Sequence, residues 1–152
     1  MIVIEPMTAS HVPAVAALEP LCFADPWSAA GVAAELENPV SRWYVALEDG
    51  AVRGYIGSHQ VIDEAEVMNL AVDPAYRRRG IGERLLRHLS QTLAGTGAAY
   101  LLLEVRESNA PARTLYEKVG FLPIGKRPHY YSHPDEAGII MRKELHDAHS
   151  VD

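Results

Sequence analysis

The stretch Arg77-Arg78-Arg79-Gly80-Ile81-Gly82 decides how this chain is interpreted. It follows the strand-like segment 66–72 and opens an apolar-periodic segment that begins at Ile81. A strand that turns through glycines into a helix leaves unpaired backbone N–H groups at the positive end of the helix dipole. Such a turn favours phosphate, and the arginines add forked positive donors. The alternative interpretation is an ordinary basic turn at the start of a solvated helix.

The pattern Arg-x-x-Gly-x-Gly differs from two common nucleotide-binding motifs. No Lys-Ser/Thr pair follows Gly82, so the turn is not a Walker sequence. The dinucleotide fingerprint requires a third glycine within a parallel strand–helix–strand unit, which the sequence does not offer. The glycines still allow a pyrophosphate to approach the main chain closely, because they lack Cβ atoms.

Length, charge and cysteine content restrict the class of protein. The chain has 152 residues and a formal net charge of −6, which suits one domain and argues against a nucleic-acid partner. No segment reaches the roughly 20 apolar residues that cross a bilayer, and the first residues lack a signal-peptide pattern. The single cysteine, Cys22, cannot form an internal disulfide. The sequence therefore predicts a cytoplasmic protein without a membrane partner.

Hydrophobic periodicity and turn residues predict the elements on both sides of the glycine turn. The apolar segment 98–105 is typical of a strand covered on both faces. The pattern predicts one α/β domain over residues 1–145, with about seven strands in a mixed sheet, about four helices and a polar tail at 146–152. The predicted strands are 1–5, 43–47, 52–62, 66–72, 98–105, 121–127 and 138–143, and the predicted helices end near Leu21, Asn38, Ala94 and Val119.

Several distant segments strengthen the interpretation. They are Pro26-Trp27-Ser28, Asn69-Leu70-Ala71-Val72, Leu103-Glu104-Val105-Arg106, Ser108-Asn109, Leu115-Tyr116, Gly120-Phe121 and Arg127-Pro128-His129-Tyr130-Tyr131. With the order of elements and the glycine turn, they make the chain similar to the GCN5-related N-acetyltransferase (GNAT) superfamily. Within it, the chain resembles the RimI group of ribosomal-protein alanine N-acetyltransferases. The resemblance covers Ile2 to about Leu145 and implies a mostly antiparallel sheet whose fourth and fifth strands splay apart.

The resemblance implies acetyl-CoA as co-substrate and assigns residues to it. The pantetheine arm is expected between the splayed strands, bound like an added strand, where a main-chain N–H faces the thioester carbonyl. Asn109 is expected near the reactive end of the cofactor; a plain helix cap is the alternative, and both can hold at once. The expected cofactor-binding residues are Leu70, Ala71 and Val72 for the arm, Arg77, Arg78, Arg79, Gly80, Ile81 and Gly82 for the pyrophosphate, and Asn109.

Glu104 is the candidate general base. Acetyl transfer needs a neutral amine, and an α-amino group, with a pKa of about 7.7–8.0 against about 10.4 for lysine, needs only a modest base. Glu104 interrupts the apolar segment 100–105, where a buried carboxylate is costly without a function. Burial would raise its pKa toward a useful range. The alternative is a salt bridge to Arg106 or to a neighbouring arginine.

Tyr116 is the candidate general acid. A phenol keeps its proton at neutral pH and can donate it to the departing thiolate. The resemblance places Tyr116 near the thioester sulfur. The alternative is a core aromatic residue beside Phe121.

Aromatic residues are expected to line the acceptor site. In N-terminal acetyltransferases of this family, the loop between the first two helices and the last strand–strand connection flank the substrate peptide. These segments correspond to Pro26-Trp27-Ser28 and to about 127–136, so Trp27, Tyr130 and Tyr131 are the expected substrate-binding residues. For Trp27 the alternative is a hydrophobic plug.

The sequence thus predicts transfer of acetyl from acetyl-CoA to the α-amine of a protein N-terminus, as implied by the resemblance. The expected target is the N-terminal alanine of a small-subunit ribosomal protein, reached by direct attack of the amine on the thioester. No metal is expected, since His129 and His133 lack partners at ligand spacing. Two alternatives stay open: a small-molecule amine acetyltransferase on the same fold, and a non-catalytic acyl-CoA-binding module.

Overall fold

The computed structural model of the chain describes residues 1–145, and the predicted polar tail at 146–152 lies outside the described residues. Within residues 1–145, no helix has the length and apolar character to cross a membrane. The strands are β1 (Ile2–Pro6), β2 (Ser41–Glu48), β3 (Ala51–Val61), β4 (Glu64–Val72), β5 (Tyr100–Arg106), β6 (Leu122–Tyr131) and β7 (Glu136–Glu144), and the α-helices are α1 (Val12–Cys22), α2 (Ala29–Glu35), α3 (Ile81–Ala94) and α4 (Ala110–Val119).

The strands form one seven-stranded sheet in the order β1-β2-β3-β4-β5-β7-β6. Neighbours pair antiparallel except β4 and β5, whose parallel pairing joins Glu64–Glu66 to Tyr100–Leu102 and ends there. Beyond that point the two strands separate and leave backbone groups on both facing edges unpaired by the sheet. The predicted mixed sheet with splayed fourth and fifth strands is confirmed.

A bulge in β4 lies at the beginning of this opening. Asn69 pairs with Gly57 and Val67 pairs with Ser58, so Met68 has no partner residue on β3. An extra residue of this kind bends the strand and increases its twist. The bend turns the segment that follows it, Leu70 to Val72, away from β5.

The sheet is covered by helices on both faces because its central strands alternate between two apolar clusters. Tyr44 and Ala46 of β2 join the cluster under α3 and α4, which includes the buried leucines of α3. Trp43 and Val45 point to the opposite face, where α1 and α2 pack. The continuous burial of β2 follows from this double coverage.

Local sequence signals explain most element boundaries. Asp49 and Gly50 have φ values of +51° and +83°, which is the conformation of a tight hairpin turn. Ser28 caps α2 through its hydroxyl, which accepts from the N–H of Gly31 at 3.0 Å. Gly120 ends α4 in the left-handed region at φ +112°. Each of these boundaries is predictable from the residue type.

Two sequence predictions differ from the structure. The final strands are longer than predicted, because β6 continues through a bulged segment at 128–130 to Tyr131 and the connection to β7 shrinks to 132–135. The sequence predicts that β5 is covered on both faces, but only Leu101, Leu103 and Val105 are buried, and the alternate residues are half-buried. The alternation is not visible in the sequence, because Leu102 is apolar although it lies on the less covered face.

Candidate active site

The opening between β4 and β5 brings the predicted site residues to one region of the molecule. Leu70, Ala71 and Val72 use one edge of β4 to pair with β3, and their other edge faces the opening. Glu104 lies at the end of β5 on the far side of the same opening. The free strand edge fits an extended ligand that carries amide groups, because such a ligand can hydrogen-bond the main chain as an added strand.

The glycine turn lies next to this opening, at the start of α3. Gly80 caps the helix with φ +76°, and no atom of the described residues lies within 4 Å of where its Cβ would be. The backbone conformation and the free space therefore both suit an anion at the helix N-terminus. A Cβ on Gly82 would meet Leu115 at 3.4 Å, which is ordinary contact. Gly80 is thus the glycine that the local backbone requires.

The three arginines before Gly80 are exposed around this helix start. Arg77 reaches the Cys22 sulfur at 3.8 Å, and Arg79 lies 3.8 Å from a Glu48 oxygen and over the Tyr76 ring. Arg78 adopts a left-handed φ of +66°. These long, exposed cations surround the free N–H groups of α3, so the donor set fits a pyrophosphate.

Glu104 is nearly buried and incompletely hydrogen-bonded. Its side chain is 10% exposed, and its Oε2 atom is buried without a hydrogen-bond partner among the described residues. Its neighbours Leu103 and Val105 point into the core under α3, so the Glu104 side chain projects to the opposite face. Burial raises the pKa of Glu104 and the negative charge of Glu66 adds to this, while Arg127 and the Tyr130 hydroxyl oppose it.

The salt bridge predicted as the alternative for Glu104 exists, but with a different residue. Arg127 Nε lies 3.7 Å from Glu104 Oε1, and the Arg127 side chain is 58% exposed. Arg106, the partner named from the sequence, instead pairs with Glu136 at 3.4 Å. Sequence reasoning missed Arg127 because it lies on β6, two strands away from Glu104 across β7.

Tyr130 and Tyr131 lie near the carboxylate of Glu104. Tyr130 and Tyr131 stack edge to face with ring centroids 4.9 Å apart. Burial raises the pKa of Tyr131, and the proximity of Tyr130, Glu104 and Tyr116 raises it further. Tyr131 therefore lies near both predicted catalytic residues and packs against the other predicted acceptor tyrosine.

Tyr116 lies on α4, where its ring packs 6.0 Å from the ring of Phe121. The aromatic contact that was the alternative for Tyr116 is therefore present. Burial raises the pKa of Tyr116 to about 12, so the phenol is protonated at neutral pH. A core contact and a proton on the hydroxyl are compatible, because the ring and the oxygen are separate parts of the side chain.

The segment that carries Tyr130 and Tyr131 is firmly attached to β5. Arg106 donates to the carbonyls of Ser132 at 2.8 Å and Pro134 at 2.9 Å, and its guanidinium lies over the Tyr131 ring at 4.6 Å. Glu136 accepts from the N–H of Ser108 at 2.5 Å. The β6–β7 connection is thus a fixed wall beside Glu104.

The loop between α1 and α2 contacts the β6–β7 connection. Trp27 is half-buried, with its ring centroid 5.5 Å from that of Trp43, so the predicted plug against the core is present. The loop reaches the β6–β7 connection through Asp25, whose Oδ1 lies 3.5 Å from His133 Nδ1. Both segments expected to flank an acceptor therefore meet at the same side of the sheet.

Asn109 acts as a helix cap, as its alternative interpretation predicts. Its Oδ1 accepts from the N–H of Ala112 at 3.2 Å. The side chain lies at the start of α4, which follows β5 beyond Glu104.

Glu19 is the main feature that sequence reasoning missed. It is 0% exposed on α1 and contacts both the α1–α2 loop and β4. The sequence signal that could have singled out Glu19 is its position in the helix. It follows Val12 by seven residues and Val15 by four, and so lies on the apolar stripe. A glutamate on such a stripe indicates a buried polar contact, but the sequence does not reveal its partners.

The histidines near the site have acidic neighbours that the sequence analysis did not expect. His129 Nδ1 lies 2.7 Å from Asp135 Oδ2, with both side chains exposed. Within residues 1–145, no group of three or more His, Cys, Asp or Glu side chains is arranged to hold a metal ion.

Comparison with known proteins gives consistent matches. The "Acetyltransferase (GNAT) family" matches residues 12–121. The [ribosomal protein bS18]-alanine N-acetyltransferase of Escherichia coli K12 is 38% identical over 142 residues, which is 91% of this chain and 94% of that protein. The N-alpha-acetyltransferase RimI of Mycobacterium tuberculosis is 39% identical over 127 residues, covering 81% and 78% respectively. The crystal structure of the ribosomal-protein-S18-alanine N-acetyltransferase from Escherichia coli superposes with a TM-score of 0.89 at 35% identity, over 97% of this chain and 96% of that chain.

Proposed function

Because the chain belongs to the acetyltransferase (GNAT) family, we propose that it acetylates the N-terminal α-amine of a protein, with the N-terminal alanine of ribosomal protein bS18 as its target. Acetyl-CoA supplies the acetyl group as a thioester. The observation that carries the proposal is the buried Glu104 carboxylate, whose Oε2 has no hydrogen-bond partner among the described residues and which lies beside the β4–β5 opening near Tyr130 and Tyr131. The relatives named above as acting on bS18 alanine support the choice of target.

The cofactor is held by main chain and cations. The free edge of β4 at Leu70, Ala71 and Val72 binds the pantetheine amides, and the turn from Arg77 through Gly82 binds the pyrophosphate. Asn109 lies near the reactive end while it caps α4. The unpaired main chain near the Met68 bulge offers an N–H donor to the thioester carbonyl.

Glu104 takes the proton from the incoming ammonium group. Its raised pKa brings the carboxylate closer to the pKa of an α-amine. Its unpartnered Oε2 is available to an amine or to a bridging water, because no donor among residues 1–145 occupies it. A protein N-terminus suits such a modest base better than lysine, since its own pKa is about 7.7–8.0.

Tyr116 gives a proton to the departing thiolate. The hydroxyl keeps its proton at every physiological pH, because burial raises its pKa to about 12. Trp27 on one wall and Tyr130 and Tyr131 on the other confine the first residue of the peptide. Close aromatic walls favour a small residue such as alanine.

The test is acetyl-CoA turnover on peptides that begin with the N-terminal sequence of bS18. Each peptide is paired with the same peptide carrying a blocked N-terminus and an internal lysine. We expect turnover only with the free α-amine. Glu104→Gln and Tyr116→Phe should each lower kcat by about 10²–10⁴-fold, as loss of a general base or acid does.

Two outcomes would overturn the proposal. Turnover that survives N-terminal blocking would identify lysine as the acceptor. Turnover of polyamines or amino acids without turnover of peptides would identify a small-molecule enzyme. Glu117→Gln is the matched control, because this exposed carboxylate lies next to Tyr116 on α4 and should leave kcat unchanged.

A further inference from the structure

Glu19 is a buried carboxylate that the proposed chemistry does not use. It lies on α1 at 0% exposure, on the same helix face as the buried Val12 and Val15. A buried charge is costly unless donors satisfy it. An apolar residue would serve helix packing at this position, so packing alone does not account for the glutamate.

The carboxylate joins three elements through its two oxygens. Oε1 accepts from the backbone N–H of Trp27 at 2.8 Å. Oε2 accepts from the Asn69 side-chain amide at 2.8 Å and from the Tyr55 hydroxyl. Burial raises the pKa of Tyr55 above its ordinary value, and the hydrogen bond and charge of Glu19 raise it further, so this phenol stays a donor.

The partners of Glu19 belong to the proposed site. Trp27 lies in the α1–α2 loop, which forms one wall of the acceptor site. Asn69 lies on β4, between the Met68 bulge and the edge expected to bind the pantetheine arm. Tyr55 pairs with Ala71 across β3 and β4. Glu19 therefore connects the acceptor wall directly to the cofactor strand.

The two walls of the acceptor site are attached by different means. The β6–β7 wall is held by Arg106, with two bonds to carbonyls. The α1–α2 wall carries Trp27, whose main chain is held from the interior by Glu19. The ring of Trp27 rests on Trp43, and the stacked Tyr55 lies 6.1 Å beyond Trp43. Movement of the Glu19 carboxylate would thus shift both the backbone and the ring support of Trp27.

We propose that Glu19 is the positioning residue of the acceptor site, which fixes the Trp27 wall relative to β4 and thereby sets affinity and first-residue selectivity for the peptide. This inference rests on the proposed function. Glu19 acts through Trp27 and Asn69 and does not contact the acceptor. Loss of its hydrogen bonds loosens one wall of the pocket, so that peptide binding weakens more than acetyl-CoA binding.

The test is a set of steady-state measurements on Glu19→Gln, Asn69→Asp and the double variant. In Glu19→Gln the introduced amide can still accept from Trp27 through its oxygen, but its NH₂ group replaces the oxygen that accepts from both Tyr55 and Asn69. In the double variant, the carboxylate introduced at position 69 accepts from the amide introduced at position 19, so the hydrogen bond between α1 and β4 is restored with its polarity reversed. Val15→Ala is the matched control, because it removes buried volume from the same face of α1 and leaves the three donors intact.

We expect Glu19→Gln to raise KM for an alanine peptide roughly tenfold, the loss that charged hydrogen bonds typically produce, with KM for acetyl-CoA nearly unchanged. The preference for alanine over a bulky first residue should fall. The double variant should recover most of the peptide KM, and Val15→Ala should lower Tm without changing either KM. Should Glu19→Gln fail to fold, Asn69→Ala removes the β4 contact alone and should raise the same KM.

Hydrogen exchange of the Trp27 amide provides a readout that does not depend on activity. It should accelerate in Glu19→Gln, stay slow in Val15→Ala and recover in the double variant. An unchanged peptide KM in Glu19→Gln, or the same KM change in Val15→Ala, would overturn the inference. If the wild type acetylates no peptide, the proposed function fails. An unchanged exchange rate of the Trp27 amide in Glu19→Gln would separately refute the attachment of the loop by Glu19.

Discussion

At the scale of single residues, three largely buried carboxylates show how hydrogen bonding decides chemical role. Burial acts to raise the pKa of Glu35, but bonds from His59, Ser41 and Trp43 outweigh it and hold the pKa below its ordinary value. Glu19 receives three donors. Glu104 keeps one buried oxygen without a donor among the described residues, and its pKa is raised. A carboxylate that lacks donors is the more basic one, because its charge is less stabilised.

Removing Arg127 should shift the pH profile. The positive charge of Arg127 lowers the pKa of Glu104 against the effect of burial. In Arg127→Met the pKa of Glu104 therefore rises further. Since the base must be ionised, kcat/KM falls as pH falls through that pKa, and this acidic limb should move to higher pH. Arg127→Lys keeps the positive charge, so its acidic limb should lie at the same pH as in the wild type. Both variants are checked by measuring kcat/KM against pH with one peptide. A limb that stays in place in Arg127→Met would show that another group controls it.

At the scale of elements, one close contact between neighbouring strands supports the proposed acceptor wall. A Cβ on Gly57 would lie 2.2 Å from the Trp43 ring, so β3 must carry glycine where the indole of β2 crosses it. The indole in turn supports Trp27. The glycine is thus required by packing, and its φ is not in the left-handed region.

We expect Gly57→Ala to destabilise the fold by about 1–3 kcal/mol, because overpacking forces the Trp43 ring to move. This corresponds to a decrease of several degrees in Tm, at about 2–4 °C per kcal/mol for a chain of this size. Gly95→Ala is the control: its Cβ would meet the nearest atom at 3.4 Å, and helix-compatible backbone makes alanine neutral or stabilising. Equal melting temperatures for the two variants would contradict the packing argument.

At the scale of the whole molecule, strand order creates the site. Strand β7 inserts between β5 and β6, which brings Arg127 and the tyrosine pair of β6 to the end of β5. The parallel pairing of β4 with β5 ends at Glu66 and Leu102. The site therefore lies where the sheet stops being continuous, and helices from both faces contribute residues to it.

Binding of acetyl-CoA should protect the edges of this opening. At a ligand concentration of one hundred times Kd, a ligand that binds only the folded state stabilises that state by about 2.7 kcal/mol. With acetyl-CoA at this concentration, hydrogen exchange should slow at residues 67–72 and 80–84. A cavity of about 440 Å³ lies elsewhere, between β1 and α3, lined in part by Arg84, Arg87 and His88. Protection confined to residues 2–4 and 87–91 would place the cofactor there instead. Coenzyme A without the acetyl group should reproduce the protection at 70–72 and 80–84, where the pantetheine arm and the pyrophosphate are expected to bind. It should lack only the protection of the main-chain N–H near Met68 that is proposed to face the thioester carbonyl.

The sequence by itself determined the order of elements, the caps at Ser28, Asn109 and Gly120, and the importance of the glycine turn, because these depend on local backbone conformation and periodicity. The resemblance predicted Glu104 and Tyr116 as catalytic residues, but not what surrounds them. Only the tertiary structure decided that Arg127, not Arg106, faces Glu104, that one carboxylate oxygen lacks a donor among the described residues, and that Glu19 connects Trp27 to β4. These contacts join residues far apart in the chain, and their existence depends on strand order and on the register of the sheet, which no local pattern encodes.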